Sequence, residues 1–241
     1  MSIDINCDMG ESNDVLKDQA ILDYVTSINI ACGYHAGNHT IMHQTVRNAI
    51  RKNVHIGAHP GYPDVKGFGR RDMDFSAEEI YNMVVYQVGA LQAFVSVEKG
   101  SLHHVKPHGA LYNQSANNIE KATAIVNAIY DVNPTFIVYC LSGSKMVEIA
   151  KNKGLQVYEE VFSDRNYNDD GTLVSRQESN ALIQTEAEML EHVKGILMSN
   201  EVMSVQQKKI NISAQTLCIH GDGPYALDYA KKIYELKCQI K

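Results

Sequence analysis

Short runs rich in β-branched and aliphatic residues alternate along the chain with longer stretches in which apolar residues recur at helical spacing. The short runs are residues 3–7, 27–32, 54–58, 102–105, 136–141, 155–158 and 216–219, each bounded by Gly, Pro, Asn or Asp. Such runs predict β-strands. Between them, Ile80, Val84, Val88, Leu91 and Val95 keep one face of a helix apolar. The alternation predicts about seven β/α units and a parallel sheet covered by helices.

Two capping-box patterns, Ser76 with Glu79 and Thr185 with Glu188, predict where two of the helices begin. Further helices are predicted at residues 40–52, 119–132 and 144–152 and near the C-terminus. We interpret the irregular residues 161–184 as an active-site loop and residues 200–215 as a small hairpin. A single closed or nearly closed barrel domain over residues 1–241 fits this order, and a doubly wound open sheet is the alternative.

Composition narrows the class of protein. The chain has 22 basic and 28 acidic residues, a net charge of −6, which argues against nucleic acid and anionic membranes as partners. The most apolar stretch, residues 80–97, is interrupted by Asn82, Gln87 and Gln92, so it predicts an amphipathic helix and not a membrane span. Five cysteines without CxxC spacing argue against a disulfide framework or structural zinc. With no secretory signal pattern, we expect a cytoplasmic protein.

Polar and ionisable residues gather at the carboxyl ends of the predicted strands. In chain order they are Asp8, Glu11, His35, Asn38, His59, Arg70, Lys106, His108, Glu160, Arg165, His220 and Asp222. In a β/α barrel the loops that carry them share one face, where catalytic groups assemble. This convergence predicts a functional site at that face.

Several of these residues also have a purely structural interpretation. Lys106 is costly to bury without an anion, so it either meets a ligand's negative charge or forms a salt bridge with Asp8 or Glu11. Asp222 is either a catalytic group or a cap of the following helix. Arg70 has Arg71 as its neighbour, and only one of the two is expected to face the site.

Motifs that mark several common enzyme classes are missing. Residues 142–145 lack the first glycine of a P-loop, and the chain has no G-x-G-x-x-G after its first strand, no G-x-S-x-G and no H-E-x-x-H. This disfavours P-loop nucleotide binding, Rossmann redox chemistry, serine hydrolysis and zincin-type proteolysis. Acid–base or metal-assisted chemistry on a small polar substrate remains.

Six ordered segments resemble the signature segments of the LamB/YcsF family, which comprises the A subunit of the bacterial ATP-dependent 5-oxoprolinase. They are residues 4–11 (DINCDMGE), 29–37 (NIACGYHAG), 57–64 (GAHPGYPD), 105–113 (VKPHGALYN), 162–167 (FSDRNY) and 218–222 (CIHGD). Asn38 and His39 stand where the family usually has Asp and Pro, and Tyr34 replaces Phe. Asn38 therefore cannot supply a carboxylate.

The resemblance implies a β/α barrel of the glycoside hydrolase/deacetylase type and cleavage of 5-oxo-L-proline to L-glutamate, with ATP as co-substrate. It also implies two partner subunits, B and C. Our hypothesis is that the complex phosphorylates the lactam oxygen and that this chain opens the activated ring with water. No P-loop is needed on this chain for that division of labour.

The hypothesis gives each candidate residue a role. Asp8, or His59 paired with it, is the expected general base, and Lys106 and His35 are expected to stabilise the developing oxyanion or phosphate. Proton transfer or orientation is expected from His108, His220 and Asp222. Arg165 or Arg176 would clamp the substrate carboxylate. Further substrate contacts are expected from Glu11, Asn38, Arg70, Tyr112 and Glu160.

Two other functions stay open at this point. The chain could be a metal-dependent amide hydrolase or deacetylase in which Asp8, His35 and His59 are the ligands and a fourth position is open to water. It could also be a substrate-binding subunit with the chemistry elsewhere in the complex.

Overall fold

In a computed structural model, which describes residues 3–12, 15–221, 223 and 225–240, parallel strands close into a barrel surrounded by helices. The strands are β1 (Asp4–Met9), β2 (Ser27–Ala31), β3 (His55–His59), β4 (Leu102–Val105), β5 (Ile137–Leu141), β6 (Gln156–Phe162), β7 (Glu201–Met203), β8 (Lys209–Asn211) and β9 (Thr216–His220). The helices are α1 (Val15–Ile21), α2 (His39–Lys52), α3 (Ala77–Val97), α4 (Gly109–Asn117), α5 (Ile119–Val132), α6 (Lys145–Lys153), α7 (Glu186–Ser199) and α8 (Ala226–Gln239).

The barrel order is β1-β2-β3-β4-β5-β6-β9, and β9 closes it by pairing in parallel with both β6 and β1. The predicted seven-stranded barrel is confirmed, and the open sheet is excluded. The predicted hairpin is the antiparallel pair β7–β8. Helices α1 and α4, by contrast, are missing from the sequence prediction, because each is short and lacks a long apolar stripe.

The helix start signals behave as expected. Ser76 with Glu79 and Thr185 with Glu188 each form both hydrogen bonds of a capping box, at the first turns of α3 and α7. Helix α3 ends at Val97, and the left-handed residue of the turn that follows is Lys99 (φ 58°), immediately before Gly100.

Side chains alternate between two environments along β1. Ile5 and Cys7 are buried in the apolar layer between strands and helices. Asp4, Asn6 and Asp8 form hydrogen bonds with residues of other strands, because a strand turns successive side chains to opposite faces. The hydrophobic core therefore lies outside the barrel, and the barrel interior is polar.

In the part of the chain that the structure describes, α3 is the one helix long and apolar enough, by length and composition, to cross a membrane. Its apolar face is occupied within the fold, since Ile80, Val84, Val88, Leu91 and Val95 are buried in the hydrophobic core. This is the face that the helical spacing predicts.

Candidate active site

Lys106 is the central cation of the barrel interior. It follows β4, and its ammonium group lies 2.9 Å from Asp8 Oδ1 and 2.8 Å from Glu160 Oε1. Cys218 Sγ at 3.1 Å and Asn6 Oδ1 at 3.3 Å complete the shell. An ammonium group has three protons to donate, so the carboxylates and the nearby sulfur already use its capacity. The salt-bridge interpretation of Lys106 holds for Asp8, and Glu160 is a second partner.

Two asparagines and one histidine beneath the ion pair hold its carboxylates in place. Asn6 Nδ2 donates to Glu160 Oε1 at 2.9 Å, and Asn29 Nδ2 donates to Asp8 Oδ1 at 2.8 Å. His104 Nε2 is 2.8 Å from Asn29 Oδ1. Glycine is required at position 57 in β3, because a Cβ there would lie 2.1 Å from His104 Nε2. The buried carboxylates thus have fixed orientations.

The ion pair sets the charge states of its members. Burial by itself would raise the pKa of Asp8, but His59 and the ammonium charge of Lys106 outweigh it and hold this pKa well below its usual value. Burial would likewise lower the pKa of Lys106, and the Asp8 and Glu160 carboxylates reverse the effect and hold it well above its usual value. Asp8 is therefore a carboxylate, and a weak base, at neutral pH.

Two histidines lie above Asp8 with their rings fixed by backbone carbonyls. His59 Nδ1 is 2.8 Å from the carbonyl of Lys106, and His108 Nε2 is 2.8 Å from the carbonyl of Phe68. Their other nitrogens, His59 Nε2 and His108 Nδ1, face each other at 2.9 Å. Asp8 Oδ2 lies 3.4 Å from His59 Nε2.

Glu11 joins this group through one carboxylate oxygen. Its Oε1 lies 3.3 Å from His108 Nδ1, 3.7 Å from His59 Nε2 and 3.1 Å from His35 Nε2. The His35 ring is fully buried and stacks on the His108 ring with centroids 3.7 Å apart. Burial lowers the pKa of His35 and of His108 well below the usual imidazole value, so burial favours the neutral rings.

A second histidine arrangement is at the end of β9. His220 Nδ1 lies 2.9 Å from both oxygens of Asp164, and Arg176 lies 2.9 Å from His220 Nε2. Because a guanidinium only donates, His220 carries its proton on Nδ1 and presents a lone pair at Nε2. Burial would raise the pKa of Asp164, but the hydrogen bond from His220 and the charge of Arg176 outweigh it and keep this pKa below its usual value.

These groups share one cavity of about 540 Å³ at the carboxyl ends of the strands. The predicted site residues that line it are Asp8, Glu11, His59, Arg70, Lys106, His108, Tyr112, Arg165, Arg176 and His220. Arg165 is tied to the carbonyls of Ala181 and Val174. Burial, with the charge of Arg176, lowers the pKa of Arg165 to about 10, so it stays cationic at neutral pH.

Three predicted site residues have other positions. Asn38 caps α2 by accepting from the amides of Thr40 and Ile41, a role that Asn and Asp fill equally well. Glu160 is buried beneath Lys106 and does not line the cavity, and His35 lies behind Glu11. Asp222 lies outside the described residues.

Of the adjacent arginines, Arg71 has an exposed side chain that forms an ion pair with Asp64. The Arg70 guanidinium lies 4.7 Å from the centroid of the Phe68 ring. Both line the cavity. Arg71 fits the expected exposed charge, and Arg70 stays the predicted site residue of the pair.

No role was predicted from the sequence for Asp164 or Phe68. Asp164 lies in the segment 162–167 and comes two residues after a strand, the position shared by the other site residues. That signal was available for Asp164. Phe68 acts through its backbone carbonyl, so its side chain gave no signal.

Among the residues that the structure describes, two groups of side chains present atoms that could bind a metal ion: Glu11 with His35, His59 and His108, and Asp8 with Cys218 and His220. In each group these atoms lie within 4.8 Å of one another. The ligand set expected from sequence, Asp8 with His35 and His59, combines members of both groups.

Comparisons with known proteins agree on one family. Residues 3–239 match the LamB/YcsF family. Proteins named as the A subunit of 5-oxoprolinase from Bacillus cereus (strain B4264) and Bacillus thuringiensis subsp. konkukian (strain 97-27) are each 50% identical over 237 residues, which cover 97% of this chain and 94% of each relative. The crystal structure of a lactam utilization protein from Thermus thermophilus superposes with a TM-score of 0.91 at 38% identity, covering 99% of this chain and 97% of the other.

Removing the buried ammonium group should make the folded protein less stable. We expect Lys106→Met to lower the free energy of unfolding by about 3–5 kcal/mol, because it leaves Asp8 and Glu160 buried as unpaired carboxylates. The control is Lys52→Met, which removes an exposed partner of Asp23 and should cost about 1 kcal/mol or less. Urea denaturation at pH 7 measures both, and equal effects would contradict the central role of Lys106.

Stability should depend on pH through Asp8. Its pKa is lower in the folded state than the value of about 3.9 in the unfolded chain. Its contribution to stability is therefore complete above that value and is lost as the pH falls towards the folded pKa. Between pH 7 and pH 3 the wild type should lose more unfolding free energy than Asp8→Asn.

The matched control for this pH dependence is Asp23→Asn, at an exposed carboxylate, which should follow the wild type. Urea denaturation series at several pH values give the comparison. Parallel pH profiles of the wild type and Asp8→Asn would show that Asp8 is not a strongly stabilised carboxylate.

Proposed function

The chain belongs to the LamB/YcsF family, and we propose that it is the lactam-opening subunit of an ATP-dependent 5-oxoprolinase, which converts 5-oxo-L-proline to L-glutamate. The observation that supports the proposal is the cavity itself. It brings together His220, which presents a lone pair at Nε2, the buried ammonium group of Lys106, and several arginines. The names of the relatives at 50% identity support the same reaction.

The reaction defines what the site must supply. A lactam carbonyl is a poor electrophile and its nitrogen a poor leaving group. Opening therefore needs a base for water, positive charge near the carbonyl oxygen, and a proton for the nitrogen. The carboxylate of the substrate also needs a cationic partner. Each of these groups can be named in the cavity.

His220 is the proposed base and then the acid. Its Nε2 presents a lone pair, and Asp164 holds the protonated Nδ1, the orientation that makes an imidazole an effective base. Nε2 takes a proton from the attacking water and returns it to the ring nitrogen as the C–N bond breaks. This replaces Asp8 as the expected base, because the low pKa of Asp8 makes it a poor proton acceptor.

Arg176 couples substrate binding to this step. Its guanidinium contacts His220 Nε2. When the guanidinium turns to the substrate carboxylate, with which it can form two parallel hydrogen bonds, the His220 lone pair becomes available to water. Arg70 and Arg165 line the same cavity and would supply the positive charge near the carbonyl oxygen.

ATP enters through the complex, which we propose contains partner subunits B and C and acts in the cytoplasm. The γ-phosphoryl group passes to the lactam oxygen and the ring N–H proton is released, leaving a C=N bond. One water then adds to that carbon, and breakage of the C–N bond yields an amine and an acyl phosphate. A second water cleaves the acyl phosphate to L-glutamate and phosphate.

The function is tested by assembling the purified chain with subunits B and C and supplying 5-oxo-L-proline and ATP. We expect equal amounts of glutamate and phosphate from the complex and little turnover from the chain alone. Glutamate formed by the chain alone without ATP would favour the metal-dependent amide hydrolase instead. An assembled complex that hydrolyses ATP but forms no glutamate would contradict the proposal.

The role of His220 separates a catalytic subunit from a merely substrate-binding one. In the assembled complex, His220→Asn should lower kcat by about 10²–10⁴-fold, the usual contribution of a general base. KM for 5-oxo-L-proline should change little. The control is His192→Asn. His192 contacts the carbonyl of Phe162 but does not line the cavity. A His220→Asn complex with full kcat would leave this chain without the proposed base.

A further inference from the structure

Three cavity-lining side chains point their coordinating atoms at a common position. We propose that His59 Nε2, His108 Nδ1 and the Glu11 carboxylate bind one divalent transition-metal ion of the zinc class. The three separations between these atoms are 2.9, 3.3 and 3.7 Å. Ligands about 2.1 Å from a tetrahedral zinc ion lie roughly 3.4 Å apart, so the observed spacing brackets the expected one.

The backbone fixes which nitrogens are free to bind. The carbonyls of Lys106 and Phe68 can only accept, so His59 is protonated at Nδ1 and His108 at Nε2. The two remaining nitrogens would then bring lone pairs together at 2.9 Å if nothing positive were shared between them. A metal ion resolves this conflict, and histidine ligands characteristically donate their other N–H to a carbonyl or carboxylate.

The charge balance of the barrel interior points the same way. Asp8, Glu11 and Glu160 bring three carboxylates, whose side chains are at most 7% exposed, around the buried ammonium group of Lys106. A divalent ion beside Glu11 would place two positive charges next to these carboxylates, where the attraction is strong because the side chains are buried.

His35 is a positioning residue of this site. It does not line the cavity, and its Nε2 lies 3.1 Å from the same Glu11 oxygen. Its Nδ1 is buried and has no hydrogen-bond partner in the described part of the chain, so the bond to Glu11 is the ring's polar contact. His35 thereby orients Glu11, and the ion keeps an open position towards the cavity. Two histidines and one glutamate are a ligand set of catalytic zinc sites.

The test uses the full chain, purified without a metal-affinity tag and stripped with chelator. Titration with Zn²⁺ by calorimetry should show one equivalent bound, and Co²⁺ should give the visible absorption bands of a low-symmetry, four- or five-coordinate site. Glu11→Gln and His108→Asn should each weaken Zn²⁺ binding by at least about 100-fold. His35→Phe should weaken it by about 10–100-fold, as loss of an orienting hydrogen bond does.

The control variant is His220→Asn, which lies in the same cavity but belongs to the other group of donor atoms. It should bind Zn²⁺ with unchanged affinity. Circular dichroism of each stripped variant checks folding, and Glu11→Gln keeps the shape of the side chain should the histidine variant not fold. Neither the metal titrations nor circular dichroism depends on enzyme activity, so their outcomes are independent of the proposed reaction.

Two results would overturn the proposal. If the stripped wild type binds neither Zn²⁺ nor Co²⁺, a shared proton holds His59 and His108 together. If His220→Asn abolishes binding while Glu11→Gln retains it, the ion binds between Asp8, Cys218 and His220 instead. An anomalous-scattering map of Zn²⁺-soaked crystals with its peak between Glu11, His59 and His108 would support the proposal directly.

Discussion

The salt bridges of Lys106 with Asp8 and Glu160 inside the barrel are the constraint on which the site depends. Three side chains from β1, β6 and the end of β4 meet there at 2.8–2.9 Å. Breaking such a pair leaves an uncompensated buried charge, so the strands that carry the three groups are held in a defined relation. Asp8 is bonded to Lys106 through Oδ1 and therefore presents Oδ2 to His59. The geometry of the histidine group follows from this orientation.

The loop after β3 completes the site at a local conformational cost. Phe68 has φ 54° and Gly69 φ 63°, so two consecutive residues adopt the left-handed region, which is unfavourable for phenylalanine. A Cβ at position 69 would lie 2.7 Å from the Cβ of His35. This turn brings the Phe68 carbonyl to His108 Nε2. The strain therefore coincides with the hydrogen bond that fixes the His108 tautomer.

Local sequence signals were sufficient to predict the barrel and the face of the barrel that carries the site. Apolar periodicity and capping boxes depend on neighbouring residues, and the structure reproduces them in α3 and α7. Partners across the barrel could not be derived in the same way. Asp8 was predicted to follow its strand but lies within β1, paired in register with Asn29 and His220. Glu160 was predicted to line the cavity. The side chains along β6 alternate between two faces, and this alternation places Glu160 beneath Lys106. Strand register, which a single sequence does not contain, decides both.

The charges around the cavity favour an activated substrate over the bare lactam. Arg70, Arg165 and Arg176 line it. Arg165 stays cationic at neutral pH although burial lowers its pKa. One carboxylate, the only charge of 5-oxo-L-proline, needs a single guanidinium as its partner. A phosphoryl group on the lactam oxygen adds negative charge and matches the remaining arginines, which bind phosphate in a bidentate manner. Lys106 cannot fill this role, because its protons are directed at Asp8, Glu160 and Cys218. The arrangement supports the proposed order of steps, in which ring opening follows phosphorylation and the arginines at the cavity, not the lysine beneath it, hold the phosphoryl group.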